Sequence, residues 1–238
     1  MSRRLEVFGV DGIGEIHAGD DLAALIVDAV EHGPDELVDG DVVVVTQKVV
    51  SKAENRLVAI DPDDPHAHRP LVAQESVRIL RRRGDLVISE TTHGFICANA
   101  GIDLSNVARG WAALLPEDSD RSARRIRDAL VHRFGIRVGV VVSDTFGRPW
   151  RRGVTDVAIG SAGLRPVVDL RGTTDALGRE LMVTEVAVAD EIASAAELVM
   201  GKADGVPVAV VRGVPGDWLG EGSVVGDLVR GSEDDLFR

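Results

Sequence analysis

A chain of 238 residues can form one large domain or two small ones and can bury a core without cross-links. Its 45 % apolar and 28 % charged residues exclude a disordered chain, while a net charge of -12 and few aromatic side chains (five Phe, three Trp, no Tyr) argue against nucleic-acid binding. The single cysteine, Cys97, excludes an internal disulfide and any multi-cysteine metal site and fits a cytoplasmic compartment; no signal core is present and no apolar run approaches the roughly 20 residues that span a membrane.

In chain order, LEVFGV predicts a strand, broken by GIG, and Asp20 or Asp21 can cap a helix that runs to His32 and stops at Gly33-Pro34. The run Val42 to Val45 is apolar on both faces, as a strand covered on both sides requires. DPDDPHAH, residues 61 to 68, is the most loop-like stretch and the only candidate boundary between two subdomains; otherwise residues 1–238 read as a single domain. A helix is predicted from Pro70 to Arg83, a strand from Leu86 to Ser89, an amphipathic helix over Asp118 to Phe134 and a second wholly apolar strand over Val138 to Val142. Strands around Val154 to Ile159 and Arg165 to Leu170, a helix over about Val186 to Met200 and a strand over Val206 to Val211 complete a mixed α/β fold.

Two common phosphate signatures fail. GIGEIH opens like a dinucleotide fingerprint but carries His17 where the third glycine allows close helix packing, and Gly201-Lys202 lacks both the upstream glycine and the following hydroxyl of a P-loop.

Polar residues placed directly after buried strands carry more. Gln47, Lys48, Ser51 and Lys52 follow Val45, at a strand exit where α/β proteins gather binding groups, although a solvated helix start capped by Thr46 reads equally well. After Val142 comes SDTFGRPWRRG: Asp144 offers carboxylate oxygen to Mg²⁺ or Mn²⁺, Thr145 a hydroxyl, and Arg148, Arg151 and Arg152 gather positive charge for an anionic ligand. The plain alternative is an Asx-turn at Asp144 with solvated arginines. In ETTHGFICANAGIDLSNV, Asp103 and Asn106 offer a second carboxylate and an amide, or an ordinary turn. His66 and His68 read as surface residues, Cys97 as a small buried side chain, and His93 as a possible substrate contact.

Taken together, GIGEI, VVVVTQKVVSKAE, ETTHGFICANAGIDLSNV, VVSDTFGRPWRRG, VTEVAVADEI and GKADGVPVAVVRG resemble, in order and over nearly the whole chain, the coenzyme F-420 gamma-glutamyl ligase family. The resemblance implies a mixed α/β fold that is neither P-loop nor Rossmann, an intertwined homodimer, and small-molecule substrates: F-420-0, L-glutamate and GTP. It implies Mg²⁺ or Mn²⁺, often with K⁺, the divalent ion being held by Asp103, Asp144 and Thr145. GTP contacts are implied at Ile13, Gly14, Glu15 and Ile16, at Gln47, Lys52 and Asn106, and along Gly201, Lys202, Ala203, Asp204, Gly205 and Val206. Asp144, Lys52, Arg148 and Arg151 are the expected catalytic residues, acting on an acyl phosphate that the glutamate amine displaces, with Glu90 and His93 as candidate bases. Two departures stand out: Asn55 occupies a position where the family often has glycine, and Gln47 one that can be serine. Some relatives carry a further domain after this one, so a chain ending at Arg238 reads as freestanding or cut. The rival readings are another nucleotide-dependent carboxylate–amine ligase and a non-catalytic nucleotide-binding module.

Overall fold

The computed structural model describes residues 4–236. In chain order its elements are β1 (Glu6–Gly9), α1 (Leu22–His32), β2 (Val42–Thr46), α2 (Gln47–Ala53), β3 (Leu57–Ala59), α3 (Arg69–Gln74), β4 (Ser76–Arg83), β5 (Leu86–Thr91), β6 (Ile96–Ala98) and β7 (Trp111–Ala113). They continue with α4 (Ser119–Phe134), β8 (Gly139–Gly147), β9 (Val154–Ala162), β10 (Val168–Asp169), β11 (Glu185–Val186), α5 (Val188–Met200) and β12 (Val208–Arg212). This is a mixed α/β fold. None of its described helices is long and apolar enough to cross a membrane.

The central sheet has the order β1-β12-β2-β8-β9. Only β2 and β8 pair in parallel, Val42 with Gly139 through Thr46 with Ser143; the other pairings of this sheet are antiparallel. Successive valines from Val42 to Val45 and from Val140 to Val142 are all fully buried, so both sheet faces are covered. Each such side chain contributes roughly 1.5–3 kcal/mol of transfer free energy. Helices α1 and α4 pack on each other, α4 lies on β8 and β9, and α5 lies on β9, β12 and β1.

Local chemistry sets the helix ends. Asp21 accepts a hydrogen bond from the Ala24 amide at 3.1 Å, and Asp118 one from Arg121 at 2.8 Å, satisfying donors that the first turns leave free. At Gly160 a Cβ would collide with the Ser119 backbone, so the residue's lack of a side chain lets α4 begin directly against β9. Asn55 has φ of 56°, the left-handed region, which glycine adopts freely and Asn next most readily.

Three expectations are corrected. The helix predicted from Pro70 to Arg83 ends at Gln74, and β4 follows, because Ser76 to Arg83 finds an antiparallel partner in β5 that the chain's own periodicity does not reveal. The strand expected to end at Val142 continues to Gly147: a register shift between Val142 and Ser143 lets β8 carry its polar residues onward while still paired with β9. Of the strand expected over 165–170, only Val168–Asp169 remains.

Candidate active site

At the end of the central sheet where β2 finishes and β12 begins, separate pieces of chain surround a cavity of about 530 Å³, within the usual range for small-molecule sites. They include the loop containing Ile13, Gly14, Glu15 and Ile16, the β2–α2 junction from Thr46 to Lys52, Asn106, Ser143 to Thr145 of β8, Asp156 of β9, and α5 with the loop that follows it.

Specific bonds hold these pieces together. Lys52, largely buried on α2, reaches back to Glu15 at 2.5 Å and so fixes the 13–16 loop. Asn106, itself left-handed with φ of 55°, donates its amide to the Lys202 carbonyl at 3.1 Å and ties the 103–106 turn to the loop after α5. That loop starts at Gly201, where a Cβ would strike the Asp204 carboxylate. Gly201, Lys202, Ala203, Gly205 and Val206 line the cavity, whereas Asp204 does not.

Helix α2 is not the solvated start that Thr46 could have capped. Thr46 makes no side-chain cap, and Gln47, Val49, Val50 and Ser51 are buried. Gln47 donates Nε2 to Ser51 Oγ at 2.6 Å and to the Leu114 carbonyl at 3.0 Å, which leaves Oε1 as an acceptor with no partner among the described residues.

The charges are unevenly matched. Lys48, which lines the cavity, lies 2.7 Å from Asp103, and the Ser105 amide donates to the same carboxylate at 2.7 Å. Burial pulls the Asp103 pKa upward, but Lys48 and Ser105 outweigh it and hold the group below its ordinary range. Asp144 fares differently. Burial pushes its pKa up to about 7, the Thr145 amide at 2.8 Å opposes this, and Asp103 and Asp156 add to it. The two carboxylates chosen from sequence thus stand close enough for one to feel the other's charge. Glu197 on α5 also faces the cavity; burial raises its pKa, then Asp156, against Lys202 and Lys48.

This donor set suits a hard cation. Asp103, Asp144 and Thr145 present only oxygen, and Asp144 carries a charge that burial leaves costly. Among the described residues no three His, Cys, Asp or Glu side chains form a closed metal cage. Two carboxylates and a hydroxyl, with phosphate and water completing the shell, is the manner in which Mg²⁺ is commonly held.

Other expected residues lie elsewhere. Arg148 and Arg151 do not line the cavity: the continuation of β8 to Gly147 carries them to the exposed connection between β8 and β9. Neither Glu90 nor His93 lines it; Glu90 pairs with Arg78 at 3.1 Å, and the His93 ring stacks on Phe95 with centroids 5.9 Å apart. Cys97 is buried on β6, and burial, followed by the Asp144 charge, pushes its thiol up to about 12, so it is inert at neutral pH. Asp156 and Glu197 were not singled out from sequence. The one signal for Asp156 was an acid inside an otherwise apolar run, VTDVAIG.

Comparison with known proteins converges on one group. A family model described as F420-0:Gamma-glutamyl ligase matches residues 12–213. Curated relatives named Coenzyme F420:L-glutamate ligase include one from Methanothermobacter thermautotrophicus, 43 % identical over 98 % of this chain and 99 % of its own length. A second, from Archaeoglobus fulgidus, is 41 % identical over 99 % and 97 %. A third, from Methanopyrus kandleri, is 43 % identical over 84 % of this chain and 83 % of its own.

Proposed function

The chain belongs to the F420-0:gamma-glutamyl ligase family, and we propose that it joins L-glutamate to the deazaflavin coenzyme precursor F420-0 with GTP as the activating nucleotide. The observation that carries this reading is the cavity itself, lined by Lys48, Lys52 and Lys202 together with Asp144, Asp156 and Glu197 around a volume suited to a nucleotide. Positive groups can receive phosphate oxygens, and the acids can hold the cation that accompanies them.

Ligation of a carboxylic acid to an amine needs an activated acyl group. An oxygen of the coenzyme's carboxylate attacks the γ-phosphorus, the bond to the β-bridging oxygen breaks, and GDP leaves. The glutamate amine then attacks the acyl carbon, phosphate departs, and the nitrogen loses one proton. Phosphoryl transfer leaves little covalent work to the protein, so its residues serve mainly to position and to balance charge.

The groups lining the cavity, with Asp103 beside them against Lys48, have roles in that scheme. Asp103, Asp144 and Thr145 would hold a divalent ion, which supplies charge neutralisation to the phosphate oxygens. Lys52, held by Glu15, and Lys48, held by Asp103, keep their ammonium groups at the cavity wall and meet negative charge as it moves toward the leaving GDP. Gln47 Oε1, which has no partner among the described residues, is an acceptor for a nucleotide N–H.

The deciding experiment combines protein, GTP, Mn²⁺, L-glutamate and F420-0 and follows product masses and GDP. The expected result is an increase of one or more glutamyl units with matching GDP release. GTP binding without turnover would favour a nucleotide-binding module, and turnover only with a different acid would favour another carboxylate–amine ligase; either outcome overturns the proposal.

A further inference from the structure

The sequence motifs pass over Asp156, yet it is the best-connected side chain at the cavity. It lies on β9 directly opposite Thr145 of β8 and is 2 % exposed. Both of its carboxylate oxygens are engaged: Oδ1 accepts from Thr145 Oγ1 at 2.6 Å and Oδ2 from Ser143 Oγ at 2.9 Å. The two hydroxyls flank Asp144 in sequence, so one carboxylate grips the strand on either side of the candidate cation ligand. Its own backbone is fixed in turn. The Asp156 carbonyl accepts from Ser194 Oγ of α5 at 2.7 Å, and Ser194 also lies 2.9 Å from Thr155 Oγ1.

A hydroxyl carries one proton and two lone pairs, whereas an ionised carboxylate can only accept. With its proton committed to Asp156, Thr145 Oγ1 is left as a pure acceptor at a cavity-lining position. A freely rotating hydroxyl would spend part of its time with the proton toward the cavity, where it would repel a cation. Ser143 is 1 % exposed, and its bond keeps the carboxylate from turning away.

We propose that Asp156 is a positioning residue: by accepting the hydroxyl protons of Ser143 and Thr145 it sets the Asp144–Thr145 edge of β8 and turns the Thr145 oxygen toward a bound divalent cation. This rests on the reading that the cavity takes a cation with its nucleotide. The charged groups that feel Asp156 are Asp144 on β8 and Glu197 on α5, and Lys48 and Lys202 line the same cavity. Partners of metal ligands commonly change affinity by about 10- to 100-fold when removed.

The test measures Mn²⁺ affinity by electron paramagnetic resonance on the full chain with GTP present, alongside melting without metal, for Asp156→Asn, Thr145→Val, their combination, and Ser143→Ala. Asp156→Asn should weaken Mn²⁺ about tenfold. Asn can accept from only one of the hydroxyls, so the other loses its orientation while the metal-free melting temperature changes little. In the Thr145→Val background the same substitution should add less than about twofold, because the oxygen it orients is gone. Ser143→Ala, which leaves every candidate ligand in place, should weaken Mn²⁺ about threefold and keeps the test open should Asp156→Asn fail to fold. A full tenfold loss on top of Thr145→Val would make Asp156 a direct ligand and overturn the proposal. So would unchanged Mn²⁺ affinity in Asp156→Asn with a lowered melting temperature, or unchanged affinity in Ser143→Ala. Wild-type protein that takes up no Mn²⁺ with GTP would overturn the cation-binding reading and the clamp together, whereas normal wild-type uptake with indifferent variants would overturn the clamp alone.

Discussion

The two ends of the central sheet treat their acids in opposite ways. At the end where β2 begins, Asp41 is fully buried, and Arg212 meets it with two hydrogen bonds at 2.9 and 2.8 Å while the Val38 amide adds a third at 2.9 Å. Nearby, Asp39 receives the Arg137 guanidinium at 2.6 Å and the Arg137 amide at 2.8 Å. At the end where β2 finishes, Asp144 has one backbone amide, and its pKa is pushed up to about 7 by burial. The same sheet supplies a rigid, planar partner for a buried acid at one end and none for the half-buried Asp144, six residues along the parallel strand pair. An acid so weakly matched, with its pKa displaced by burial, is common at functional sites and supports the proposed role of this end.

Breaking each end should therefore give different losses. Asp144→Asn should lower turnover at least about a hundredfold, in line with the removal of a charge-stabilising group, while the protein stays folded. Steady-state ligation at saturating Mn²⁺ checks this, and a near-normal rate would remove Asp144 from the site. Arg212→Met strands the Asp41 carboxylate in the core. Loss of one partner of such a pair costs about 3 kcal/mol where the survivor is buried. The melting temperature should fall by roughly 6–12 °C in a chain of this size, with turnover of the folded enzyme at 25 °C unchanged. A loss of activity without a loss of stability would show that the far end of the sheet communicates with the cavity.

The contrast also has a pH signature. In the metal-free protein the Asp144 pKa of about 7 exceeds the ordinary 3.8, so folding is opposed increasingly as pH rises between those values and the penalty is complete above about 7. Asp144→Asn removes that penalty. Its melting temperature should match the wild type near pH 4 and exceed it by roughly 2–4 °C at pH 8, the effect of about 1 kcal/mol once water at the cavity mouth is allowed for. Thermal melts across that range decide it, and a difference that stays flat with pH would mean that the carboxyl is not desolvated as the geometry indicates. Mn²⁺ competes with the same proton, so its affinity should rise from pH 6 to pH 8.

What the sequence reveals follows from which interactions are local. The all-valine runs of β2 and β8, a helix cap at Asp20 or Asp21, the helix beginning near Asp118, and the polar segments at 46–52 and 143–145 are properties of neighbouring residues, and each is visible without a structure. The segment Ser76 to Arg83 misled because a basic run with scattered apolar residues suits a helix until β5 is known to pair with it. Asp156 and Glu197 escaped for a related reason. Their relevance comes from β9 and α5 being brought beside β8, and no spacing along the chain encodes that approach. Arg148 and Arg151 illustrate the other direction, since adjacency to Asp144 in sequence became separation from the cavity lining once β8 continued through Gly147.

That separation makes Arg151 the gentlest probe of the comparison. It belongs to the site end of the sheet by topology, but it is exposed, and it contributes no surface to the cavity. An exposed guanidinium meeting an anionic substrate is worth about 0.2–1 kcal/mol, so Arg151→Ala should raise KM for F420-0 by roughly 1.4- to fivefold and leave kcat unchanged, as loss of uniform binding requires. Salt supplies the control. Near 1 M ionic strength the Debye length is about 3 Å, and wild type and variant should converge. If kcat falls instead, with KM preserved, the β8–β9 connection closes over the reacting atoms and belongs with Asp144; if only the melting temperature moves, its arginines serve the hairpin and not the substrate.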